Sequence, residues 1–485
     1  MDWSWQKLIS HEHLMATLSV VWSVYVVVVG VWILMQRRAP VATMSWLLSM
    51  AALPVVGLVV YYFLGPQRFK RQRIKRLRAR SRSQVQETVR RIREVDPNPP
   101  PKLLQLAKLV QVASGFPIST ATRIDFLSGG AATFDSIFAA VAGAERHVHL
   151  EYYIYEPDAT GTRLRDLLIE RARAGVQVRL LVDALGSKAI ARGFWQPLVD
   201  AGAEFAFFHP TRIGRRLRPV INFRTHRKIL VVDGRIGYTG GVNITDEEDV
   251  RIRPDAYHDA HLRVEGPIVN WLQTAFLEDW AYALDKTPQD APADLDDLLP
   301  ELPNGHHLMQ VMTSGPDNPL EAIHRVHLAA IHTATERVWL TTPYFVPTEA
   351  AIYALTGAAL RGLDVRLLVP EKSDSIFVTA AARSYFDDLI ATGVKVYEYQ
   401  ARMLHSKTML VDDDVAIIGT ANFDNRSFRL NYEVCAVAYG PLLAGQLEAQ
   451  FLKDLEKSQL VHHQRLQRFT ARLGDSVARL CSPLL

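Results

Sequence analysis

The stretch His226-Arg227-Lys228-Ile229-Leu230-Val231-Val232-Asp233 has a close counterpart later in the same chain. The counterpart is His405-Ser406-Lys407-Thr408-Met409-Leu410-Val411-Asp412, and both stretches read H-x-K-x(4)-D. In each, the residues between Lys and Asp are mostly apolar, which predicts a buried β-strand. Asn243 and Asn422 each follow the His of their stretch by 17 residues. A spacing kept twice over this distance indicates an internal repeat.

The repeat extends beyond the two motifs. Asp259 precedes a Gly-Pro pair by seven residues, and Glu433 precedes a second Gly-Pro pair by the same distance. Upstream, each half shows the order strand, helix, strand: 147–155, 162–174 and 176–182 in the first half, and 337–345, 349–361 and 363–369 in the second. Strands alternating with helices predict an α/β fold of two repeated domains, each with a mixed, largely parallel sheet flanked by helices.

The N-terminal part of the chain is apolar enough to enter a membrane. Residues 14–35 carry no charge and would form a helix of about 33 Å, enough to cross a hydrocarbon core of about 30 Å. A second uncharged run covers residues 41–64. Together they predict a two-helix transmembrane hairpin. The alternative is a cleaved signal peptide, but the first run is longer than the apolar part of such peptides, and Asp2 and Glu12 do not suit the basic region before it.

Charge is distributed unevenly along the chain. Nine Lys/Arg lie between Arg68 and Arg82, directly after the second apolar run, so the positive-inside rule places the following residues in the cytoplasm. Residues 1–96 carry 15 Lys/Arg and 5 Asp/Glu, a net charge of +10, which leaves −6 for the rest of a chain whose total is +4. A body of negative net charge disfavours nucleic acid as the partner, whereas the basic segment suits anionic membrane lipids.

These observations predict five segments. They are a transmembrane hairpin anchor at 1–66, a basic juxtamembrane segment and linker at 67–104, a first domain at 105–285, a connector at 286–305 and a second domain at 306–485. The chain has only two cysteines, Cys435 and Cys481, so we expect neither a disulfide framework nor a thiolate metal site.

The paired motifs bring together residue types that suit phosphodiester chemistry. Residues two apart on a strand share a face, so each His projects together with its Lys, while the Asp points away and is expected to have a structural part. One His can attack phosphorus and the other can protonate the leaving alcohol, while lysines and amides stabilise the charged transition state. The candidate catalytic residues are therefore those of the two motifs: His226, Lys228, Asp233, His405, Lys407 and Asp412.

Four further residues are candidates for supporting this chemistry. Asn243 and Asn422, on turns after the motif strands, can direct amide N–H groups toward an anionic substrate. Asp259 or Glu433 can accept the second ring N–H of a histidine and thereby fix its tautomer. Because the lysines supply positive charge, we expect no metal ion and no other cofactor.

With these residues identified, the chain resembles the phospholipase D superfamily and, within it, the bacterial cardiolipin synthases. Besides the paired motifs, the resemblance rests on the N-terminal hairpin and on three later stretches. The hairpin contributes Arg37-Arg38-Ala39-Pro40, Trp46-Leu47-Leu48, Leu53-Pro54 and the residues from Tyr61 to Gly65, and the later stretches are Asn222-Phe223-Arg224, Thr342-Pro343-Tyr344-Phe345-Val346-Pro347 and the terminal Ser482-Pro483-Leu484-Leu485. It extends from about residue 15 to the last residue. Thr225 departs from it, since Asn is expected there, but strand parity points Thr225 away from the His/Lys face.

The resemblance implies a transfer reaction in the bacterial cell (inner) membrane, with the catalytic domains in the cytoplasm. One phosphatidylglycerol donates its phosphatidyl group to a histidine and releases glycerol, and the hydroxyl of a second phosphatidylglycerol then yields cardiolipin. By analogy, His226 is the nucleophile and His405 the general acid and later the base, although the sequence by itself does not order them. Arg212, Arg215, Arg216 and Arg218 either guide lipid headgroups or form a solvated loop.

Other interpretations stay open at this point. A membrane-bound phospholipase D that hydrolyses phospholipids to phosphatidic acid would share the same motifs. A nuclease of the superfamily is disfavoured by the charge of the body, and a non-catalytic membrane scaffold by the two intact motifs. Ile376-Phe377-Val378, with Tyr385 and Phe386, forms either an apolar lip that dips into lipid or ordinary helix core.

Overall fold

The computed structural model describes residues 11–35, 40–53, 56–57, 61, 99–188, 192–209, 223–284, 295–462 and 469–480. These residues fall into two compact units, an N-terminal helical unit and a body that contains both motifs. Several sequence predictions lie outside the described residues: the basic run from Arg68 to Arg82, the four arginines of the loop before the first motif, residues 286–294 of the connector, Cys481, and the terminal Ser482 to Leu485.

The N-terminal unit contains helices α1 (His11–Leu34) and α2 (Pro40–Ala52). Within α1, the 20 residues from Met15 to Leu34 have a mean hydropathy of 2.2 and are long and apolar enough to cross a membrane; among the described residues this is the one such helix. Helix α2 has 13 residues, about 20 Å, which is too short by itself. Tyr61 lies between Trp32 and Trp46, with ring centroids 5.3 and 4.9 Å away, so the described parts of the two apolar runs pack on each other.

The first half of the body is built on a seven-stranded sheet with the order β2-β8-β7-β6-β3-β4-β5. Its strands are β2 (Arg123–Ser128), β3 (His147–Tyr152), β4 (Gln177–Asp183), β5 (Glu204–Phe208), β6 (Ile229–Val232), β7 (Ile236–Gly240) and β8 (Ala260–Glu265). Their helices are α4 (Gly129–Ala142), α5 (Ala159–Arg173), α6 (Arg192–Asp200) and α7 (Ile268–Ala283).

The second half is built on a nine-stranded sheet with the order β1-β9-β17-β15-β14-β10-β12-β13-β18. Its strands are β1 (Ser119–Ala121), β9 (His307–Ser314), β10 (Arg337–Thr341), β12 (Asp364–Pro370), β13 (Lys395–Tyr399), β14 (Thr408–Val411), β15 (Val415–Gly419), β17 (Glu433–Tyr439) and β18 (Ser458–Leu460). A small separate pair joins β11 (Phe345–Val346) to β16 (Phe423–Asp424).

The helices of the second half flank this sheet. They are α9 (Ala322–Thr333), α10 (Glu349–Leu360), α11 (Ile376–Arg383), α12 (Phe386–Ala391), α13 (Asn425–Arg429), α14 (Pro441–Leu455) and α15 (Phe469–Leu480). The short helix α8 (Leu295–Leu298) comes before them in the chain and contacts the first half through Asp297 and Arg146. Helix α3 (Pro101–Ser114) and strand β1 precede the first half in the chain, yet they pack with the second: β1 pairs with β9, and Leu103, Leu106 and Val110 of α3 join the core of the second half.

The α/β fold with mixed sheets is confirmed, but the expectation of largely parallel strands is wrong. In each sheet only two neighbouring pairs are parallel, β3 with β4 and β4 with β5 in the first, and β10 with β12 and β12 with β13 in the second. The remaining pairs are antiparallel, and two of them, β6 with β7 and β14 with β15, arise because each motif strand turns back directly into the next strand. The turn after β6 contains Asp233 and Gly234, both with positive φ, and this tight connection joins β6 to an antiparallel β7.

One helix lies at the centre of the body. Helix α7 is buried over nearly its whole length, and its Trp271, Leu272 and Phe276 belong to a core that also contains Met309 and Val434 from the second sheet. Apolar side chains from both halves therefore share one core. This shared core sets the two motif strands in a fixed relation to each other.

Candidate active site

The His and Lys of each motif lie immediately before a strand, in an extended segment that pairs with the opposite half. The backbone N–H of His226 donates to the carbonyl of Tyr432 (2.8 Å), and the backbone N–H of His405 donates to the carbonyl of His258 (2.8 Å). Lys228 directly precedes β6, and Lys407 directly precedes β14. Each motif is thus held by backbone contacts to the half that contains the other motif.

The carboxylates that hold the two imidazoles are exchanged between the halves. Nδ1 of His226 lies 2.9 Å from Oε2 of Glu433, and Nδ1 of His405 lies 2.5 Å from Oδ2 of Asp259. The first half therefore supplies the carboxylate for the second histidine, and the second half supplies it for the first. We call His226, Lys228 and Glu433 the His226 half-site, and His405, Lys407 and Asp259 the His405 half-site.

Each of these carboxylates is itself held by neighbours. Oε2 of Glu433 accepts from the hydroxyl of Thr420 (2.5 Å), and Oε1 accepts from the amide of Asn431 (3.3 Å). Asp259 has so little space around it that a Cβ on Gly241 would come within 2.0 Å of its Oδ1. The second glycine of the turn after β7 is therefore required for Asp259 to reach His405.

The two lysines are fully buried and bind the backbone of their own motifs. Nζ of Lys228 donates to the carbonyl of His226 (3.0 Å), and Nζ of Lys407 donates to the carbonyl of His405. Nζ of Lys407 also lies 3.7 Å from Asp259. Burial lowers the pKa of Lys228 to about 7, and the ammonium of Lys407 adds to this effect. An anion bound between the two ammonium groups would relieve their mutual repulsion.

Both histidines are neutral at neutral pH while their carboxylates are ionised. Burial lowers the pKa of His226 to about 4 against the opposing charge of Glu433, and burial and Lys407 lower the pKa of His405. Burial would raise the pKa of Glu433, but its interaction with His226, the hydroxyl of Thr420 and the charge of Lys228 together outweigh burial and lower that pKa. A neutral imidazole that donates Nδ1–H to a carboxylate leaves the lone pair of Nε2 available for the reaction.

The motif aspartates do not take part in this arrangement. Asp233 accepts from the backbone N–H groups of Glu145, Arg146 and His147 at 2.8–3.0 Å. Asp412 likewise accepts from the backbone N–H groups of Glu336 and Arg337 at 2.9 and 3.1 Å. Both therefore tie the far end of a motif strand to the start of β3 or β10. These contacts fit the structural part that strand parity predicts for the two aspartates, although the motif also placed them among the candidate catalytic residues.

Asn243 and Asn422 follow β7 and β15, and each backbone N–H is bound by a side chain five residues later. Asn243 N–H donates to Oε1 of Glu248 (3.1 Å), and Asn422 N–H donates to Oγ of Ser427 (3.1 Å). Thr225, the departure from the family pattern, donates its hydroxyl to Glu151 (2.5 Å), away from the His226 imidazole.

Sequence reasoning missed several residues that line the site. The ring of Tyr153 lies 5.0 Å from that of His226, and the rings of Tyr257 and Tyr344 lie 5.4 and 6.4 Å from that of His405. Glu248 was also missed, with its Oε1 at 4.0 Å from Nδ1 of His405. The equal spacing of Glu248 and Ser427 from their asparagines is a signal that continued comparison of the two copies would have found.

Among the described residues, one group could offer three ligand atoms to a metal ion: Glu248, Asp259 and His405, whose atoms lie within 4.8 Å of one another. Asp259 already accepts from His405 and faces the ammonium of Lys407. Because a cation there would meet that ammonium, the group is better explained by hydrogen bonds and charge than by coordination.

The apolar segment singled out in the second half divides into two parts. Ile376 and Phe377, on the first turn of α11, are 86% and 67% exposed, whereas Tyr385 and Phe386 are buried in the core. A contact links this turn to the site: Asp374, just before it, accepts from the hydroxyl of Tyr344 (2.8 Å), whose ring lies beside His405. Only Ile376 and Phe377 are thus available to form an apolar lip.

Known protein families match this chain over its N-terminal segment and over both repeated halves. The family described as "Cardiolipin synthase, PLD-like domain" matches residues 137–280 and 327–455, and the family "Phospholipase_D-nuclease N-terminal" matches residues 21–66. Among solved structures, phosphatidylserine synthase of Haemophilus influenzae Rd KW20 superposes with a TM-score of 0.59, covering 79% of this chain and 100% of that one. At 16% identity this likeness shows the fold alone.

Sequence relatives match over nearly the full chain. Cardiolipin synthase 1 of Bacillus anthracis is 37% identical over 487 residues, which cover 98% of this chain and 95% of that protein. Cardiolipin synthase of Geobacillus sp. (strain WCH70) is 40% identical over 486 residues, which cover 97% and 94%. The chain therefore belongs to the cardiolipin synthase family of phospholipase D-like phosphatidyltransferases.

Proposed function

We propose that this chain transfers the phosphatidyl group of one phosphatidylglycerol to the hydroxyl of a second, which gives cardiolipin and glycerol. The observation that carries the proposal is the exchange of carboxylates, which sets two neutral imidazoles and two buried lysines around one point. Such a set can divide the transfer into two displacements at phosphorus without a change in net charge at the site.

In the first displacement, Nε2 of His226 attacks phosphorus while its Nδ1–H is held by Glu433. The bond between phosphorus and the glycerol oxygen breaks, and that oxygen takes a proton from His405. The phosphodiester anion favours the protonated form of His405 that this step needs. The ammonium groups of Lys228 and Lys407, with the amides of Asn243 and Asn422, stabilise the charge that develops on the phosphoryl oxygens.

In the second displacement, His405 removes the proton from the hydroxyl of the acceptor phosphatidylglycerol. The hydroxyl oxygen attacks phosphorus, the bond from phosphorus to His226 breaks, and neutral His226 is regenerated. The second displacement is the reverse of the first, with a different alcohol. The whole reaction is therefore reversible. Water in place of the lipid hydroxyl would give phosphatidic acid, so access of the acceptor from the membrane decides the product.

The proposed location is the bacterial cell (inner) membrane, with two N-terminal spans and both repeated halves, 105–285 and 306–485, in the cytoplasm. Helix α1, the packing of Tyr61 between Trp32 and Trp46, and the basic run after residue 66 support this arrangement. The exposed Ile376 and Phe377 would contact lipid near the site.

The test uses purified full-length protein in vesicles that contain labelled phosphatidylglycerol, with the products separated by mass spectrometry. We expect cardiolipin and free glycerol in equal amounts. A matched preparation of the double variant His226→Ala, His405→Ala serves as the control and should give neither. Phosphatidic acid and glycerol without cardiolipin would show that water is the acceptor and would overturn the proposal.

A further inference from the structure

Glu248 is a buried carboxyl beside His405 that the proposed mechanism does not use. It ends the short 3-10 turn Asp246–Glu248 and is 1% exposed. Its Oε1 accepts from the backbone N–H of Asn243 and lies 4.0 Å from Nδ1 of His405. Its Oε2 is buried and has no hydrogen-bond partner among the described residues. A carboxyl oxygen left without a partner in such a place requires an explanation.

The other copy of the repeat shows that the turn does not need a carboxyl. There, Ser427 occupies the equivalent position, and its hydroxyl accepts from the backbone N–H of Asn422 at the same 3.1 Å. A neutral oxygen is thus enough to hold an asparagine of this kind. The charge that Glu248 can carry is therefore surplus to its contact with Asn243. Among the described contacts of the two imidazoles, a second carboxyl within 4.0 Å is found at His405 and not at His226.

The groups around Glu248 determine when that charge forms. Among the described residues, the titratable groups that face Glu248 are Asp259, His405, Lys407, Lys228 and Tyr257. Burial raises the pKa of Glu248, and the carboxylate of Asp259 adds to this effect, so Glu248 is the carboxyl that keeps a proton in the resting site. A positive charge on His405, 4.0 Å away, would favour the release of that proton.

We infer that Glu248 is a positioning residue that becomes the second negative charge beside His405 whenever His405 is protonated, and that it thereby makes His405 the acid of the reaction. This inference rests on the proposed two-histidine transfer. The His226 half-site has Glu433 as its one neighbouring carboxylate within the described contacts of His226, so its imidazole lacks this additional stabilisation when charged. The difference suits His226 to the part of nucleophile.

The test is the pH dependence of kcat for Glu248→Gln, measured from about pH 5 to about pH 9. The glutamine keeps an oxygen for Asn243 but cannot ionise. Protonated His405 then loses a stabilising charge, its pKa falls, and the alkaline limb of the profile moves to lower pH. A shift of about one unit would lower kcat by about tenfold on the alkaline side and much less on the acid side, with little change in KM. Glu247→Gln, in the same turn but paired with Arg253, is the matched control and should keep the wild-type profile.

Two results would overturn the inference: an alkaline limb that stays in place, or a loss of activity of equal size at every pH. Glu248→Ser, which introduces the residue of the second copy, should move the limb in the same direction and serves if the glutamine variant does not fold. Product analysis separates this test from that of the proposed function. If phosphatidic acid alone were formed, the synthase proposal would fail, while the position of the alkaline limb would still test Glu248.

Discussion

The His226 half-site and the His405 half-site contain the same kinds of group but differ in their carboxyls. Each has an imidazole, a buried lysine and a carboxylate supplied by the opposite half. The His405 half-site has a second carboxyl, Glu248, where the other copy has Ser427. The comparison indicates that the repeat gives both histidines matching surroundings. The different parts proposed for them would then come from single residues in which the two copies differ.

The largest expected effect comes from removing either histidine. We expect His226→Ala and His405→Ala each to lower the rate of cardiolipin formation by at least about 10³-fold, because one step of the transfer then lacks its nucleophile or its acid. The melting temperature should change little. His332→Ala, on the exposed face of α9, is the control and should keep wild-type activity. If either site variant retained a substantial fraction of the activity, the two-histidine mechanism would be wrong.

A substrate with a good leaving group separates the two histidines. A nitrophenyl phosphodiester of the lipid releases nitrophenolate, a stable anion that needs no proton to leave. The general acid is therefore dispensable in the first displacement. We expect the first-turnover release of nitrophenolate by His405→Ala to recover to within about tenfold of wild type, although later turnovers still lack the base, whereas His226→Ala stays inactive. The opposite pattern would reverse the assignment of nucleophile and acid.

The exchanged carboxylates should have the next largest effect. We expect Glu433→Gln and Asp259→Asn each to lower kcat by about 10²-fold or more, since an amide no longer stabilises a charged or correctly oriented imidazole. In the first turnover on the nitrophenyl substrate, release by Asp259→Asn should recover and release by Glu433→Gln should not, as with the histidines that these carboxylates hold. The control is Glu398→Gln. Glu398 lies on β13, outside both half-sites, and should tolerate the change with little effect on kcat. Equal behaviour of the two variants on both substrates would contradict the exchange.

The sequence predicted the two motif strands correctly and could not predict the exchange. Ile229–Val232 and Thr408–Val411 are strands, as their apolar runs indicate, and the aspartates that follow them are structural, as strand parity indicates. The contact between His226 and Glu433, however, joins residues 207 apart in the chain. Local pattern carries no information on such a pair, because it depends on how the two sheets pack around α7.

Two other differences have local reasons. The sheets were expected to be largely parallel because helices alternate with strands in each half, but the tight turn after each motif strand adds antiparallel strands that the alternation does not show. Strand β1 was grouped with the first half because it lies next to it in the chain. It pairs instead with β9, through the register of Ser119 with Met309.

The structural aspartates should affect stability more than chemistry. We expect Asp412→Ala to lower the free energy of unfolding of the body by about 1–3 kcal/mol, because the backbone N–H groups at the start of β10 lose their acceptor. Burial opposes ionisation of Asp412, but those N–H groups lower its pKa below the ordinary value of about 3.9. The stabilisation is therefore complete above about pH 4 and is lost as the pH falls through the lower folded-state pKa. Thermal unfolding at several pH values measures this, and residual activity below the unfolding temperature should stay near that of wild type. If Asp412→Ala left the melting temperature unchanged, Asp412 would not have the structural role assigned to it.

The smallest expected effect is that of removing divalent ions. Glu248, Asp259 and His405 are the one described group that could hold a metal ion, and it lies in the half-site that differs from the other. Lys407 already places an ammonium 3.7 Å from Asp259, and His405 donates its Nδ1–H to the same carboxylate. A divalent ion would have to displace both contacts, and its charge would add to those of Lys407 and Lys228. We therefore expect dialysis against a chelator to leave cardiolipin formation within about twofold of the untreated enzyme. The contrary result has two parts: one divalent ion restores the activity lost on chelation, and Glu248→Gln shows no such restoration. It would show that Glu248 is a metal ligand and not a compensating charge.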